Sequence, residues 1–154
     1  AEDGIRDRSP SRGLGDVYKR QLVVNDEEAG MISSESNIVK AADRILSMGP
    51  KTVVIKRGEF GASLFSSGST FSIPAYPLRE VVDPTGAGDS FAGGLFGYLS
   101  ESGDTSVAGF RKALAYGSVV ASFTVENFSL ERLRKLSRED IESRYQEFVE
   151  LTHF

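Results

Sequence analysis

The run Asp83-Pro84-Thr85-Gly86-Ala87-Gly88-Asp89-Ser90-Phe91-Ala92-Gly93-Gly94 constrains this chain more than any other stretch. Upstream of it, the β-branched Glu80-Val81-Val82-Asp83 reads as the end of a strand. Downstream, apolar residues at 91, 92, 95, 96 and 99 recur at helical spacing. The expected order is strand, glycine-rich turn, helix, with Asp89 in the first helical turn. Glycines let the backbone turn tightly and remove side chains that would keep an anion away. The unpaired N–H groups of a first helical turn point into that turn, and the helix dipole favours negative charge there. A carboxylate beside such a hole is placed to take a proton from a hydroxyl while the hole holds developing phosphoryl charge. These are the minimum parts for phosphoryl transfer to an alcohol.

Other phosphate loops do not fit. A P-loop requires Gly-x-x-x-x-Gly-Lys-Ser/Thr, which the sequence lacks, and a dinucleotide fingerprint needs a third glycine at position 91, occupied here by Phe91. A lone Gly-x-Gly-Asp would indicate only a turn with an acid on the helix dipole. The whole run in its strand–turn–helix setting is far more specific.

The rest of the chain supports an α/β reading. Leu22-Val23-Val24-Asn25 is a short buried strand, and Asn25-Asp26-Glu27-Glu28 opens a helix with ordinary capping residues. Ser36–Met48 is amphipathic, with Ile38, Ala41, Ala42, Ile45 and Leu46 on one side, and Gly49-Pro50 ends it. Thr52–Ile55 is a second buried strand, so the strand–helix–strand order implies a parallel crossover. Gly58-Glu59-Phe60-Gly61 reads by itself as a turn, and Ala62–Phe65 with Thr70–Ile73 as a hairpin. Pro74–Pro77 is expected to run extended into the strand before Asp83. Ser106–Phe123 is a long helix with apolar residues including Val107, Phe110, Leu114 and Phe123, and Gly117 within it suits close helix approach. Leu130–Leu136 and Arg138–Leu151 are also helical, the second opened by Ser137-x-x-Asp140 and docked by Tyr145, Phe148 and Val149. His153, the single histidine, lies near the end as a bystander.

Residues 1–21 mix both charge signs with Gly, Ser and Pro and show no periodicity. They resemble translated sequencing adaptor and are expected to be a non-native or disordered leader, leaving 22–154 as the folded portion. The full chain of 154 residues has a net charge of −4 and no cysteine, so disulfides and thiolate metal sites are excluded. Mild acidity argues against a nucleic-acid partner, and no apolar run approaches a membrane span. A cytoplasmic setting is the expectation.

Asp83–Gly94 closely resembles the C-terminal signature of the ribokinase-like (PfkB) carbohydrate kinases, a family that also includes adenosine kinase-like enzymes. The resemblance implies the C-terminal part of a three-layer α/β/α fold with a mainly parallel sheet. It implies ATP-dependent phosphorylation of a sugar or nucleoside hydroxyl, with Asp89 as catalytic base and the amides of Gly86, Ala87 and Gly88 as the anion hole. Asp83 and Thr85 match positions that contribute to a monovalent-cation site, such as one for K+, in some members. Asn25-x-x-Glu28 resembles the family's Asn-x-x-Glu motif, whose acid helps hold Mg2+ through water against the ATP phosphates. Gly58, Glu59 and Gly61 match a Gly-x-x-Gly loop that contacts those phosphates. The family's usual threonine two residues before that loop is Lys56 here. A cation suits phosphate binding, but the departure leaves Lys56 outside the carried-over set. The long helix at 106–123 lies where family members place the adenine.

The resemblance covers 22–154, only the C-terminal half of such a kinase. Activity of this portion alone is therefore not expected, and homodimerisation, which often uses the family's lid, belongs to the full-length enzyme. Two other readings stay open: a nucleotide- or anion-binding module without chemistry, and an NAD-binding fold, which Phe91 disfavours.

Overall fold

The computed structural model describes residues 20–127 and 131–154. Four strands form one sheet in the order β1-β2-β3-β4: β1 (Gln21–Asn25), β2 (Thr52–Lys56), β3 (Ala62–Ser66) and β4 (Ser69–Ile73). Helices α1 (Asp26–Ser33) and α2 (Ile38–Leu46) connect β1 to β2, which pair in parallel with Asn25 opposite Lys56. After the sheet come α3 (Ala87–Ser102), α4 (Val107–Val125), α5 (Glu131–Lys135) and α6 (Arg138–Thr152).

Strand alternation sends successive side chains to opposite faces, and each face meets its own helices. Val53, Ile55 and Phe65 pack with Ala29, Ala41, Ala42 and Ile45 of α1 and α2. Val54, Leu64 and Ile73 pack with Phe91, Leu95 and Leu99 of α3, with Leu114 and Val119 of α4, and with Phe148 of α6. The result is three layers, helix–sheet–helix, with two cores divided by the sheet. A central strand with both sheet faces covered is buried on both sides, and the first four residues of β2 are buried.

The mainly parallel sheet expected from the family resemblance is not what these strands form. Only β1–β2 is parallel; β2–β3 and β3–β4 are antiparallel, giving a mixed sheet. The connections decide this. A parallel return requires a crossover of a dozen or more residues, whereas a short turn containing Gly58–Phe60 joins β2 to β3, and Ser67-Gly68 joins β3 to β4.

A second expectation also fails. Residues 80–83 form no strand: Val81 is 60% exposed, and the amides of Val82 and Asp83 both donate to the Val125 carbonyl at the end of α4. β-propensity expresses fit to a neighbouring pleated surface. Here the segment's partner is a helix end. Pro74–Pro77 likewise docks on helices, where the Tyr76 amide donates to Ser118 Oγ and the Tyr76 ring packs on Phe148. Val107, placed on the buried side by periodicity, is exposed in the first turn of α4. Of the expected leader, residues 1–19 lie outside the described residues. Gln21, its last residue, opens β1 opposite Thr52.

The α3–α4 contact is close because it is built on backbone. A Cβ on Gly94 would sit 2.8 Å from the Tyr116 carbonyl oxygen, and one on Gly117 would sit 2.8 Å from that of Phe91. α6 is then held on α4 by Arg144, which donates to Ser122 Oγ and to both Glu126 oxygens while lying 3.6 Å from the Phe123 ring centroid. Tyr98, Tyr116 and Tyr145 stack across α3, α4 and α6, and the Tyr116 hydroxyl donates to Glu142. Burial first, then that carboxylate, pushes the Tyr116 phenol well above its ordinary range. The expected Ser137–Asp140 capping box opens α6, and the described residues contain no helix long and apolar enough to cross a membrane.

Candidate active site

Gly86 is the N-cap of α3, with φ of 80° and ψ of −1°, a left-handed conformation that favours glycine. It provides no side-chain cap, so the helix start is left to the backbone. The Ala87 amide donates weakly back to the Pro84 carbonyl at 3.2 Å, and the Ser90 amide donates to Gly86 O at 2.9 Å. The amides of Gly86, Gly88 and Asp89 have no hydrogen-bond partner among the described residues. An uncapped first turn with unengaged donors suits an anion. Asp89 stands exposed in this same turn, and its carboxylate makes no hydrogen bond or ion pair among the described residues. Of the expected anion-hole amides, Gly86 and Gly88 are open, while that of Ala87 is engaged.

Asp83 and Thr85 come together one turn earlier. The Thr85 amide donates to Asp83 Oδ1 at 2.9 Å, and this bond first, then the Thr85 side chain, holds the Asp83 carboxyl below its ordinary range. The carboxylate thus stabilises the turn that presents the hole. Among the described residues no group of three or more His, Cys, Asp or Glu is close enough to hold a metal ion.

The loop is anchored from behind by α4. Besides the two amides on Val125 O, the Thr124 hydroxyl donates to Ser90 Oγ at 2.7 Å in a buried contact. Ser90 follows Asp89 directly, so this bond fixes the helical turn that carries the acid. Thr124→Val keeps the shape but strands the Ser90 hydroxyl. Its expected cost is about 1–3 kcal/mol of stability in urea unfolding. A loss no larger than that of an exposed threonine would remove Thr124 from this role.

Asn25 and Glu28 lie at the end of β1. Asn25 Oδ1 accepts from the Glu28 amide at 2.7 Å, and Glu28 Oε2 accepts from the Asn25 amide at 2.8 Å, a reciprocal capping box for α1. Both side chains are thus engaged in the helix cap, the ordinary role of such residues. Parallel pairing places Asn25 beside Lys56 at the carboxyl end of the adjoining strand, and crevices beyond such strand ends are where open α/β sheets bind ligands. From there the Lys56 ammonium reaches α3: Nζ lies 2.9 Å from where a Gly88 Cβ would be. Lys56 therefore brings the β1–β2 end close to the α3 turn, a proximity spanning 32 positions that sequence reading passed over. The only signal for it was a cation two residues before Gly58.

Gly58-Glu59-Phe60 forms a single 3-10 turn closing the β2–β3 connection, with the Arg57 amide donating to Gly61 O at 2.8 Å. Glu59 and Phe60 are exposed. The loop follows Lys56 directly, so it leaves the sheet at the same end as the other candidate residues.

The three-layer α/β unit thus brings unengaged amides, an exposed carboxylate and a lysine together near the carboxyl ends of its two parallel strands. The chain belongs to the pfkB family of carbohydrate kinases, whose profile matches residues 16–134. It is 47% identical over 90 residues to the cytidine kinase of Thermococcus kodakarensis, a match covering 55% of this chain and 32% of that protein. Among solved structures it superposes on the aminoimidazole riboside kinase of Salmonella enterica complexed with aminoimidazole riboside and an ATP analogue. That match has a TM-score of 0.72 at 24% identity, covering 89% of this chain and 48% of the other. The fructokinase of Vibrio cholerae, bound to fructose, ADP and calcium, gives a TM-score of 0.75 at 19% identity over 86% of this chain and 43% of its own. These two likenesses establish the fold. The chain spans about a third of the length of the curated relatives it matches.

Proposed function

We propose that this chain carries the nucleotide site and the catalytic base for ATP-dependent phosphoryl transfer to a hydroxyl of a sugar or nucleoside. The observation that carries the reading is the turn at 86–89. Unengaged amides and an exposed carboxylate share one helical turn, with nothing among the described residues neutralising either. Family membership supplies the reaction class. Nucleoside and sugar kinases both occur among the relatives, so the acceptor stays at that breadth.

In this reading Asp89 accepts the proton of the acceptor hydroxyl, and the amides of Gly86, Ala87 and Gly88 hold the transferring phosphoryl group. For Ala87 this requires its weak bond to Pro84 to yield. Gly58, Glu59, Gly61 and Asn25 contact ATP. Glu28, an exposed carboxylate at the strand end, suits Mg2+ held through water, since that ion keeps several waters and takes one or two acids beside phosphates. Magnesium when bound offsets phosphate charge. In the same reading Asp83 and Thr85 serve a monovalent cation such as K+. Positioning and electrostatics supply most of the rate in such transfers.

Ligand-dependent melting of the chain tests the assignment. Mg-ATP at about 100 times its Kd is expected to add roughly 2.7 kcal/mol to the unfolding free energy, with no gain from NADH. Stabilisation by NADH and not by ATP would overturn the reading. ATP binding without transfer to any alcohol, in an otherwise complete enzyme carrying this segment, would make it a binding module.

A further inference from the structure

We infer that Arg144 of α6 is a positioning residue for the Asp89 turn, acting through the last turn of α4. The inference rests on the phosphoryl-transfer reading above and adds to it a residue on another helix. The last turn of α4 works on two sides. On one, the Thr124 hydroxyl donates to Ser90 Oγ at 2.7 Å, and Val125 O accepts the Val82 and Asp83 amides at 2.8 and 3.2 Å. On the other, Arg144 Nη1 donates to Ser122 Oγ and to Glu126 Oε2, each at 2.9 Å, and Nη2 donates to Glu126 Oε1 at 3.2 Å. Residues four apart share a helix face, so one fork can hold both Ser122 and Glu126. Two positions along a helix is roughly half a turn, so Thr124 lies across the helix from that pair. The guanidinium is further fixed between two rings, 3.6 Å from the Phe123 centroid and 5.1 Å from that of Tyr76.

The electrostatics make this grip matter to the loop. Glu126 is the C-cap of α4, and a carboxylate at a helix C-terminus opposes the macrodipole. The last turn of α4 has no basic residue of its own, so the neutralising cation comes from α6. The Arg144 and Glu126 side chains are only 16% and 27% exposed, which favours a charge-assisted bidentate pair. The Arg138–Glu101 pair, which joins α6 to α3, is far more exposed and touches no part of this turn. Without Arg144 the Glu126 charge repels the terminal carbonyls of α4, and the turn frays. Fraying frees Val125 O and Thr124, the two groups that hold the Asp83–Ser90 loop from behind.

Amide hydrogen exchange on the full chain gives a test without catalysis. Arg144→Met is expected to speed exchange of the Val82 and Asp83 amides about tenfold or more, with the β2 amides unchanged. Initial-rate kinetics of an otherwise complete enzyme carrying residues 20–154 gives the second. There Arg144→Met is expected to lower kcat about tenfold or more while KM for ATP moves less than about threefold, a split that follows from misplacing the reacting turn alone. Arg138→Met, the control for α6 docking, is expected to keep kcat within about twofold. In a cycle with Thr124→Val, the second substitution is expected to add less than about twofold to the loss from the first, since both loosen one turn. A lower melting temperature with kcat kept would mark Arg144 as merely structural and overturn the inference. So would kcat losses that multiply across the cycle. Arg144→Lys keeps the charge without the planar fork, and serves if the Met variant does not fold. It is expected to lose about threefold or more in kcat with faster Val82 and Asp83 exchange, and wild-type values in both would equally overturn the inference. Transfer that withstands Arg144→Met removes this inference alone. No transfer by the unmutated enzyme removes the reading it rests on as well.

Discussion

Asp89→Asn is expected to lower phosphoryl transfer by about 10²–10⁴-fold while Mg-ATP binding holds or tightens. The two effects separate because the substitution removes a proton acceptor and a negative charge together. Loss of the acceptor raises the barrier only in the transition state, so kcat and kcat/KM fall in parallel. Loss of the charge relieves repulsion of the phosphates at the uncapped start of α3, where the Gly86, Gly88 and Asp89 amides remain available. Asp89 is exposed and unpartnered among the described residues, so little structural penalty should accompany the change, and the melting temperature is expected to hold. The measurement is initial-rate kinetics of a chimera in which residues 20–154 replace the matching segment of the cytidine kinase relative. Calorimetric ATP titration of the chain itself accompanies it. An unchanged kcat would sink the role given to Asp89 and leave the acid as a complement to the helix dipole.

What could be read from the sequence, and what could not, follows the range of the interactions. α3 was legible because a glycine turn and a helical period adjoin it. The β3–β4 hairpin was legible because Ser67-Gly68 separates two short strands. α2 was legible from its apolar stripe, of which Ala41, Ala42 and Ile45 are buried. Each of these signals is complete within a few residues. The strand expected at 80–83 failed because a β-branched run is only a candidate until a partner pairs with it, and here Val125 O takes its amides. The sheet's mixed direction was legible in the short connections at Gly58–Gly61 and Ser67-Gly68, and it was the family resemblance that implied a mainly parallel sheet. Asn25 and Glu28 were legible as a helix cap from their residue types at a strand-to-helix junction, and they form one. Thr124 with Ser90, and Lys56 with Gly88, are meetings of residues far apart in sequence. No periodicity records them.

The two glycines of the Gly58–Gly61 loop look equivalent in sequence, yet Gly61→Ala is expected to cost about 3 kcal/mol or more and Gly58→Ala only about 1 kcal/mol. Both have positive φ, 54° at Gly58 and 87° at Gly61, so both substitutions strain the backbone. At Gly58 the strain is the whole effect, because a Cβ there meets nothing within 4 Å. At Gly61 the backbone, with ψ of −144°, lies near a region that side chains scarcely visit. An added Cβ would also fall 2.0 Å from Ile73 O and 2.6 Å from Pro74 C. Those are main-chain atoms at the end of β4, so nothing flexible can move aside. Relief requires separating β4 from the start of β3, where Ile73 pairs with Ala62 and both residues lie in the core. Thermal unfolding should therefore show a drop of roughly 10 °C or more for Gly61→Ala and a far smaller one for Gly58→Ala. Equal drops would mean that both glycines serve turn conformation alone. The Gly61 amide donates to Gly58 O and its carbonyl accepts from the Arg57 amide, so the same residue fixes the loop we propose as an ATP contact. Loop shape and sheet integrity are thus set at one position, and Gly58 remains free to be tuned for binding.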